Sequence, residues 1–257
     1  MEANPESQGG ITPERAEWIR EQERLGRDAG ADSYLERLAA SRGAFRMRVE
    51  DLAVPHAVSP RPEHYVLDAG SGVGRYALML APRVKRLVAA DFSPGSLAVL
   101  ARRAGERGIT NLETVVADLC ALPRDLGTFH TAYSCEVFQH IPTHASKLEA
   151  LKQIASHLAP GGRCVVTSLA WNRRSKGDKE GVWSNGAYRF QFAPGEIAAL
   201  FREAGFERVS VRGLVVLPGI VTRYLPASFA ALDAWMSRIP GTGSLAAFVL
   251  ASGSRPG

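Results

Sequence analysis

The stretch YVLDAGSGVG, residues 65–74, decides the fold: an apolar run passes through Asp68 into three alternating glycines. A short apolar run of this kind is typical of a buried strand. Glycines at alternate positions allow a tight turn and let a ligand approach the backbone. The helix that follows presents free N–H groups and the positive end of its dipole, which suits a phosphate or a carboxylate. The stretch therefore predicts a strand–turn–helix unit with a ligand at the turn.

The same alternation continues along the chain. After the first strand, Tyr65–Ala69, apolar runs alternate with stretches of helical periodicity, which indicates a parallel sheet covered on both faces. Right-handed crossovers make this a doubly wound α/β fold. The predicted strands are Leu87–Ala90, Leu112–Ala117, Phe129–Cys135, Arg163–Leu169, Val209–Leu214 and Leu245–Ala251, and the helices are Gly74–Ala81, Pro94–Gly108, Ser146–Leu158 and Pro194–Ala204.

Acidic residues end the first three strands. Asp91 follows Asp68 by 23 residues, and Asp118 ends the third strand. The ligand crevice of such sheets lies at the carboxyl ends of the strands, so all three carboxylates face it. A carboxylate at Asp91 suits the two hydroxyls of a ribose, and one at Asp118 suits an adenine amino group.

Two common nucleotide-binding motifs are absent. The dinucleotide fingerprint needs a third glycine where this chain has Arg75, and a phosphate-binding P-loop needs Gly-Lys-Ser/Thr. A nicotinamide oxidoreductase is therefore disfavoured.

The chain divides into a polar tail (1–10), an N-terminal helical cap (11–60) and a large α/β domain (61–257). Thr12 and Pro13 favour a helix start, Gly43 interrupts the cap, and Pro55 is expected to break it. Two segments of the large domain are candidate covers. Residues 171–188 read as a mobile flap, and residues 215–243 as an insert carrying candidate acceptor walls. Aromatic and basic side chains that could line the site are Tyr34, Phe45, Arg46, Tyr224, Phe229 and Trp235.

Composition limits the class of protein. Net charge is +5, and the basic excess lies in residues 171–257, which is weak support for nucleic-acid binding. Three scattered cysteines favour neither a disulfide framework nor a zinc site, and no residue set suggests a metal. The polar start lacks the features of a signal peptide and no apolar run is long enough to span a membrane, so a cytoplasmic location without a membrane partner is expected.

Several further segments occur in a fixed order with the glycine turn. They are DAGSGVG (68–74), DF (91–92), ADL (117–119), SCEVFQHIP (134–142) and LAPGGR (158–163). Together they resemble the class I S-adenosylmethionine-dependent methyltransferases over about residues 65–169. Ala159 replaces a lysine that is usual in that family.

The resemblance implies a seven-stranded Rossmann-like sheet whose last strand is antiparallel. It also implies S-adenosylmethionine as the cofactor and S-adenosylhomocysteine as its product. The residues it assigns to cofactor binding are Asp68, Gly70, Ser71, Gly72, Gly74, Asp91, Phe92, Asp118, Leu119, Ser134 and Cys135.

The segment after the fourth strand favours a small-molecule acceptor. It lacks the Asn/Asp-Pro-Pro-aromatic segment of adenine N6 enzymes, the nucleophilic cysteine of cytosine C5 enzymes and the paired glutamates of protein arginine methyltransferases. Methyl transfer depends mainly on alignment, but a phenol or thiol also needs a base, for which His140 is the first candidate and Glu136 the second. A catalytically silent cofactor-binding protein and a nucleic-acid methyltransferase remain alternatives, as do a monomer and a homodimer.

Overall fold

The computed structural model describes residues 11–175, 177–182, 187–222, 224–239 and 242–257; the predicted tail, 1–10, lies outside them. In chain order the elements are α1 (Pro13–Gly30), α2 (Tyr34–Val58), β1 (Tyr65–Ala69), α3 (Ala77–Leu80), β2 (Arg86–Asp91), α4 (Pro94–Glu106), β3 (Leu112–Val116), β4 (Phe129–Cys135), α5 (His144–Ser156), β5 (Leu158–Leu169), β6 (Glu180–Val182), β7 (Tyr188–Phe190), α6 (Pro194–Glu203), β8 (Glu207–Leu214), α7 (Gly219–Thr222), α8 (Ala230–Met236) and β9 (Phe248–Ser254).

The main sheet has seven strands in the order β3-β2-β1-β4-β5-β9-β8. Strands β1 to β5 are parallel, and β9 runs antiparallel to both β5 and β8. One apolar core lies on each face of this sheet. The predicted doubly wound α/β fold with an antiparallel last strand is confirmed. Because β2 and β4 lie on opposite sides of β1, and the chain crosses over β1 between β3 and β4, a crevice opens at the carboxyl ends of β1 and β4.

Two predicted boundaries are wrong for physical reasons. Pro55 lies inside α2 rather than ending it. Its ring and the neighbouring Val54 and Val58 are buried, and this burial outweighs the one missing N–H. The last strand begins at Phe248 and continues through Ser254, because β5 and β8 bond it on both edges and so extend it beyond the apolar run.

The cap helices lie over the carboxyl edge of the sheet. Gly43, at φ +73°, divides α2 at the predicted interruption. On α1, Asp28 accepts hydrogen bonds from Ser93 Oγ at 2.6 Å and from the Gly95 amide at 2.9 Å. These contacts fix α1 beside the start of α4. No helix in the described parts of the chain is both long and apolar enough to cross a membrane.

Gly74 tests how closely the first turn packs on α4. It adopts φ +81°, and an added Cβ would lie 2.1 Å from Leu100 Cδ1. Gly74→Ala should therefore lower the free energy of unfolding by about 3 kcal/mol, from backbone strain and overpacking together. Gly105→Ala is the matched control. Gly105 lies on α4, the helix against which Gly74 packs, and nothing lies within 4 Å of its added Cβ. Urea unfolding should show Gly105→Ala stable or slightly stabilised; equal losses for both variants would contradict this account of the turn.

Candidate active site

A cavity of about 480 Å³ opens at the carboxyl edge of the sheet, between the first turn, the loop after β4 and the two cap helices. Nine of the residues predicted to bind the cofactor or to act as the base line it. They are Asp68, Gly70, Ser71, Gly72, Asp91, Phe92, Cys135, Glu136 and His140. The fold thus brings the glycine turn, the second strand end and the loop after β4 to one place.

The glycine turn is held in shape by Asp91. Its Oδ2 accepts the Gly72 amide at 2.7 Å and its Oδ1 accepts the Ser93 amide at 3.0 Å. Gly70 sits at φ +86°, and an added Cβ would lie 2.3 Å from a methyl group of Val137. The turn therefore requires glycine, and Asp91 both braces the turn and faces the cavity.

Two polar groups of the cavity lack a matching partner in the protein. Burial raises the pKa of Asp68 to about 8, although the Tyr133 hydroxyl donates to it at 2.7 Å. The Ser71 hydroxyl oxygen is buried and makes no hydrogen bond. A carboxyl without a cation and an unpaired hydroxyl at one wall suit a ligand that brings a positive charge and polar groups.

Four residues assigned by resemblance do not line the cavity. Gly74 packs against Leu100. Asp118 accepts the Cys120 amide at 2.8 Å and Arg20 at 3.1 Å, so it anchors α1. Leu119 and Ser134 are buried.

A buried ion-pair network forms the cavity wall on the α2 side. Glu50, 3% exposed, accepts Arg42 at 3.0 Å, Arg46 at 3.0 Å and Arg75 at 2.6 Å. Burial alone would raise the pKa of Glu50, but the three guanidinium groups outweigh it and lower that pKa. Arg42 also donates through both terminal nitrogens to both carboxylate oxygens of Glu136. Both carboxylate oxygens of Glu136 are thereby engaged by one guanidinium group.

His140 has a hydrogen-bond pattern that settles its tautomer. The Leu169 amide donates to Gln139 Oε1 at 2.9 Å, so the Gln139 NH₂ group faces His140 Nε2, at 3.3 Å. Nε2 therefore carries the lone pair. Nδ1 lies 2.9 Å from the Tyr188 carbonyl oxygen and 3.2 Å from Glu23 Oε1, both acceptors, so it carries the proton. The basic nitrogen of His140 is Nε2.

Glu23 of α1 is a functional candidate that sequence reasoning missed. It is 8% exposed and also accepts the Tyr188 amide at 3.2 Å. Burial would raise its pKa, but the His140 hydrogen bond and the charges of His140 and Arg27 outweigh this and lower it. The Glu23 carboxylate thus contacts the His140 ring at Nδ1 and holds its orientation. Nothing local distinguishes Glu23 from its helix neighbours Glu17 and Glu21.

Some of the segments that were predicted to cover the site lie at the cavity, and others lie away from it. In the flap, β6 and β7 form a hairpin, and Ala187 and Arg189 line the cavity; residues 176 and 183–186 lie outside the described part. Tyr34 lines the cavity, but Phe45 and Arg46 do not. In the insert, Tyr224, Phe229 and Trp235 are exposed and absent from the cavity wall, which is a correction to their expected role as acceptor walls.

Residues 66–162 match the family model described as a methyltransferase domain. This segment of the chain is therefore similar to a methyltransferase domain. A demethylmenaquinone methyltransferase of Thermus thermophilus is 36% identical over 124 residues, 48% of this chain and 52% of that protein. A 2-heptyl-1-hydroxyquinolin-4(1H)-one methyltransferase of Mycobacteroides abscessus is 34% identical over 102 residues, 39% of this chain and 44% of the relative. The chain thus matches about half the length of these curated relatives.

The solved DhpI–SAH complex has the same fold. It superposes with a TM-score of 0.64 at 18% identity, covering 94% of this chain and 98% of that one. The fold expected from the resemblance is confirmed, and the match over residues 66–162 agrees with the expected family.

The buried Asp68 predicts a pH dependence of stability. Its pKa rises from 3.8 unfolded to about 8 folded, so within that window the folded state holds a proton that the unfolded state has lost. The contribution of Asp68 to the free energy of unfolding is therefore fully present at low pH. It is lost as the pH rises toward 8, by at most about 1.4 kcal/mol per pH unit. Asp68→Asn should remove this slope. Urea unfolding of both proteins from pH 5 to 8 measures it, and parallel curves would contradict the assignment.

Proposed function

We propose that the protein transfers a methyl group from S-adenosylmethionine to a small-molecule acceptor. Asp68, which has no cationic partner, and the unpaired Ser71 hydroxyl beside the glycine turn carry this proposal, because they suit a cationic ligand with polar groups. The methyltransferase domain match supports the reaction class. Relatives named for demethylmenaquinone and a hydroxyquinolone support a small acceptor, as does a cavity volume within the usual range of small-molecule sites.

The residues that would hold the cofactor are those of the first turn and the second strand end. Gly70 and Gly72 bring backbone close to the ligand, Asp91 has lone pairs left for ribose hydroxyls, and Phe92 offers an apolar surface. When bound, S-adenosylmethionine supplies an electrophilic methyl group. The anionic form of Asp68 would be stabilised by its positive charge.

The residues after β4 would act on the acceptor. His140 Nε2 takes the proton from an acceptor hydroxyl, and Glu23 stabilises the resulting imidazolium through Nδ1. Arg42 and Glu136 hold each other and shape the wall. The cap helices and the hairpin limit the access of water, which strengthens these interactions.

An RNA acceptor is the second candidate. A 23S rRNA (uracil(1939)-C(5))-methyltransferase of Methylococcus capsulatus is 32% identical over 115 residues, which is 25% of that protein. Incubation with labelled S-adenosylmethionine, a metabolite library and total RNA distinguishes the two candidates. We expect one methyl group, by mass spectrometry, on a small molecule and no label in RNA. Label confined to RNA would overturn the small-molecule proposal.

The cofactor assignment predicts different roles for two strand-end acids. Asp91→Ala should weaken S-adenosylmethionine binding by about 1.5–3 kcal/mol, a factor of ten to a hundred or slightly more. Asp118→Ala is the matched control, because Asp118 contacts Arg20 and Cys120 rather than the cavity. Calorimetry on folded variants measures both affinities. Unchanged affinity in Asp91→Ala would remove that residue from the site.

The base assignment predicts an effect on the rate of transfer. His140→Ala and His140→Gln should slow transfer by about 100- to 10,000-fold with cofactor affinity kept. Glu23→Gln should slow it by about tenfold or more, because the imidazole loses the carboxylate that contacts Nδ1 and would stabilise the charge it gains during transfer. Glu21→Gln, on the exposed face of α1, is the control. If both His140 variants turn over within about tenfold of the wild-type rate, His140 is not the base and the transfer depends on alignment alone.

A further inference from the structure

A second cavity, of about 400 Å³, lies far from the candidate active site. Arg163 of β5, Ser252 and Ser254 of β9, and Ser210 and Arg212 of β8 contribute to its walls. Arg163 precedes Leu169, the last residue of β5, by six positions, which places the cavity roughly 20 Å from the catalytic edge. Arg163 and Ser252 are two positions away from Val165 and Leu250 on the same strands, so they lie on the same face of the sheet. Val165 and Leu250 belong to the core beneath α2, so the cavity lies on the face that α2 covers elsewhere.

The charges of this cavity have one sign. Arg163, Arg208 and Arg212 line it, and no acidic side chain does. His56 and Arg238 lie close enough for their charges to matter. Burial, then Arg238 and Arg163, lower the pKa of Arg212, and burial, then Arg238, Arg212 and Arg163, lower that of His56. We name this set of five residues the basic cluster.

The arginines of the basic cluster also lack the partners that other arginines of this chain have. Arg24, Arg42, Arg75 and Arg86 each pair with carboxylates, whereas within the described ranges no ion pair includes an arginine of the cluster; the same is true of exposed arginines such as Arg107 and Arg202, but these do not line a cavity with other cations. Arg163 donates to Ser252 Oγ at 3.2 Å, and Arg212 Nε is buried without a hydrogen-bond partner.

The backbone at this site is strained as well. Arg208 adopts φ +50°, which is uncommon for a residue other than glycine, at an irregularity in the pairing of β8 with β9. Such strain and like-charge proximity cost stability in the ligand-free protein, and both are common where a ligand supplies the compensation.

We propose that the basic cluster binds a phosphate group of a small molecule. Guanidinium groups match the geometry of phosphate oxygens, and the serine hydroxyls of β8 and β9 add further donors. The dimensions fit a discrete ligand rather than a long polyanion, because the arginines surround a cavity on one corner of the sheet instead of following a groove. This site is independent of the proposed methyl transfer.

Pyrophosphate and inorganic phosphate are the probes that test the site. Each should bind the full chain saturably in calorimetry, in the millimolar range or tighter. The double variant Arg163→Gln/Arg212→Gln should lose at least about tenfold in affinity. Arg107→Gln/Arg202→Gln, which removes the same charge from exposed positions, should retain it. Absence of saturable binding at about 10 mM, or equal loss in both double variants, would overturn the proposal.

Two further arms identify the source of the phosphate. Vesicles containing phosphatidic acid should compete with pyrophosphate only if a lipid headgroup is the natural source; phosphatidylcholine vesicles are their control. RNA that binds through the cluster without displacement by pyrophosphate would contradict a small-molecule site.

Arg212→Met provides a test that needs no ligand. Relief of repulsion should raise Tm by about 2–4 °C in phosphate-free buffer, while Arg202→Met should leave it unchanged. A fall in Tm for Arg212→Met would identify the guanidinium as structural and overturn the inference.

Discussion

The carboxylate of Glu50 is the interaction on which the arrangement of the site depends. Buried in α2, it collects three guanidinium groups, and two of them extend the network to the first turn and to the loop after β4. A single buried charge of this kind is costly unless its partners are in place. The network therefore fixes cap, turn and loop relative to one another, and removing Glu50 would leave three neighbouring guanidinium groups without their shared carboxylate.

The cavity is consequently made of two kinds of wall. The sheet side is backbone and strand-end carboxylates, which the α/β fold positions without help from the cap. The opposite side is built from α1, α2 and the β6–β7 hairpin, whose side chains reach the site through ion pairs and hydrogen bonds. His140 stands between them, since its ring nitrogens contact the hairpin backbone and a carboxylate of α1. Under the proposed function, the cofactor would lie against the first wall, and the reaction of the acceptor would depend on both walls.

The fold and the first wall could be predicted from the sequence because their signals are local. Apolar runs, glycines and strand-end acids lie within short segments, and the turn at Gly70 is recognisable from the alternating glycines that follow an apolar run. The second wall could not, because Glu23, Arg42 and Glu50 look like ordinary helix residues until the fold brings them to the crevice. The same reason explains Asp118, whose strand-end position indicated a ligand but whose partner is Arg20. Gly74, assigned to the cofactor, serves close packing against Leu100.

The sequence distance between α1 and its partners has a consequence for the order of assembly. Arg20 meets a residue 98 positions later, and Glu23 meets Tyr188, 165 positions later. The two contacts therefore form late, because both partners must be synthesised and folded before these loops can close. Until then the carboxylate of Glu23, on which the proposed base depends, lacks the backbone of β7 that holds it in place.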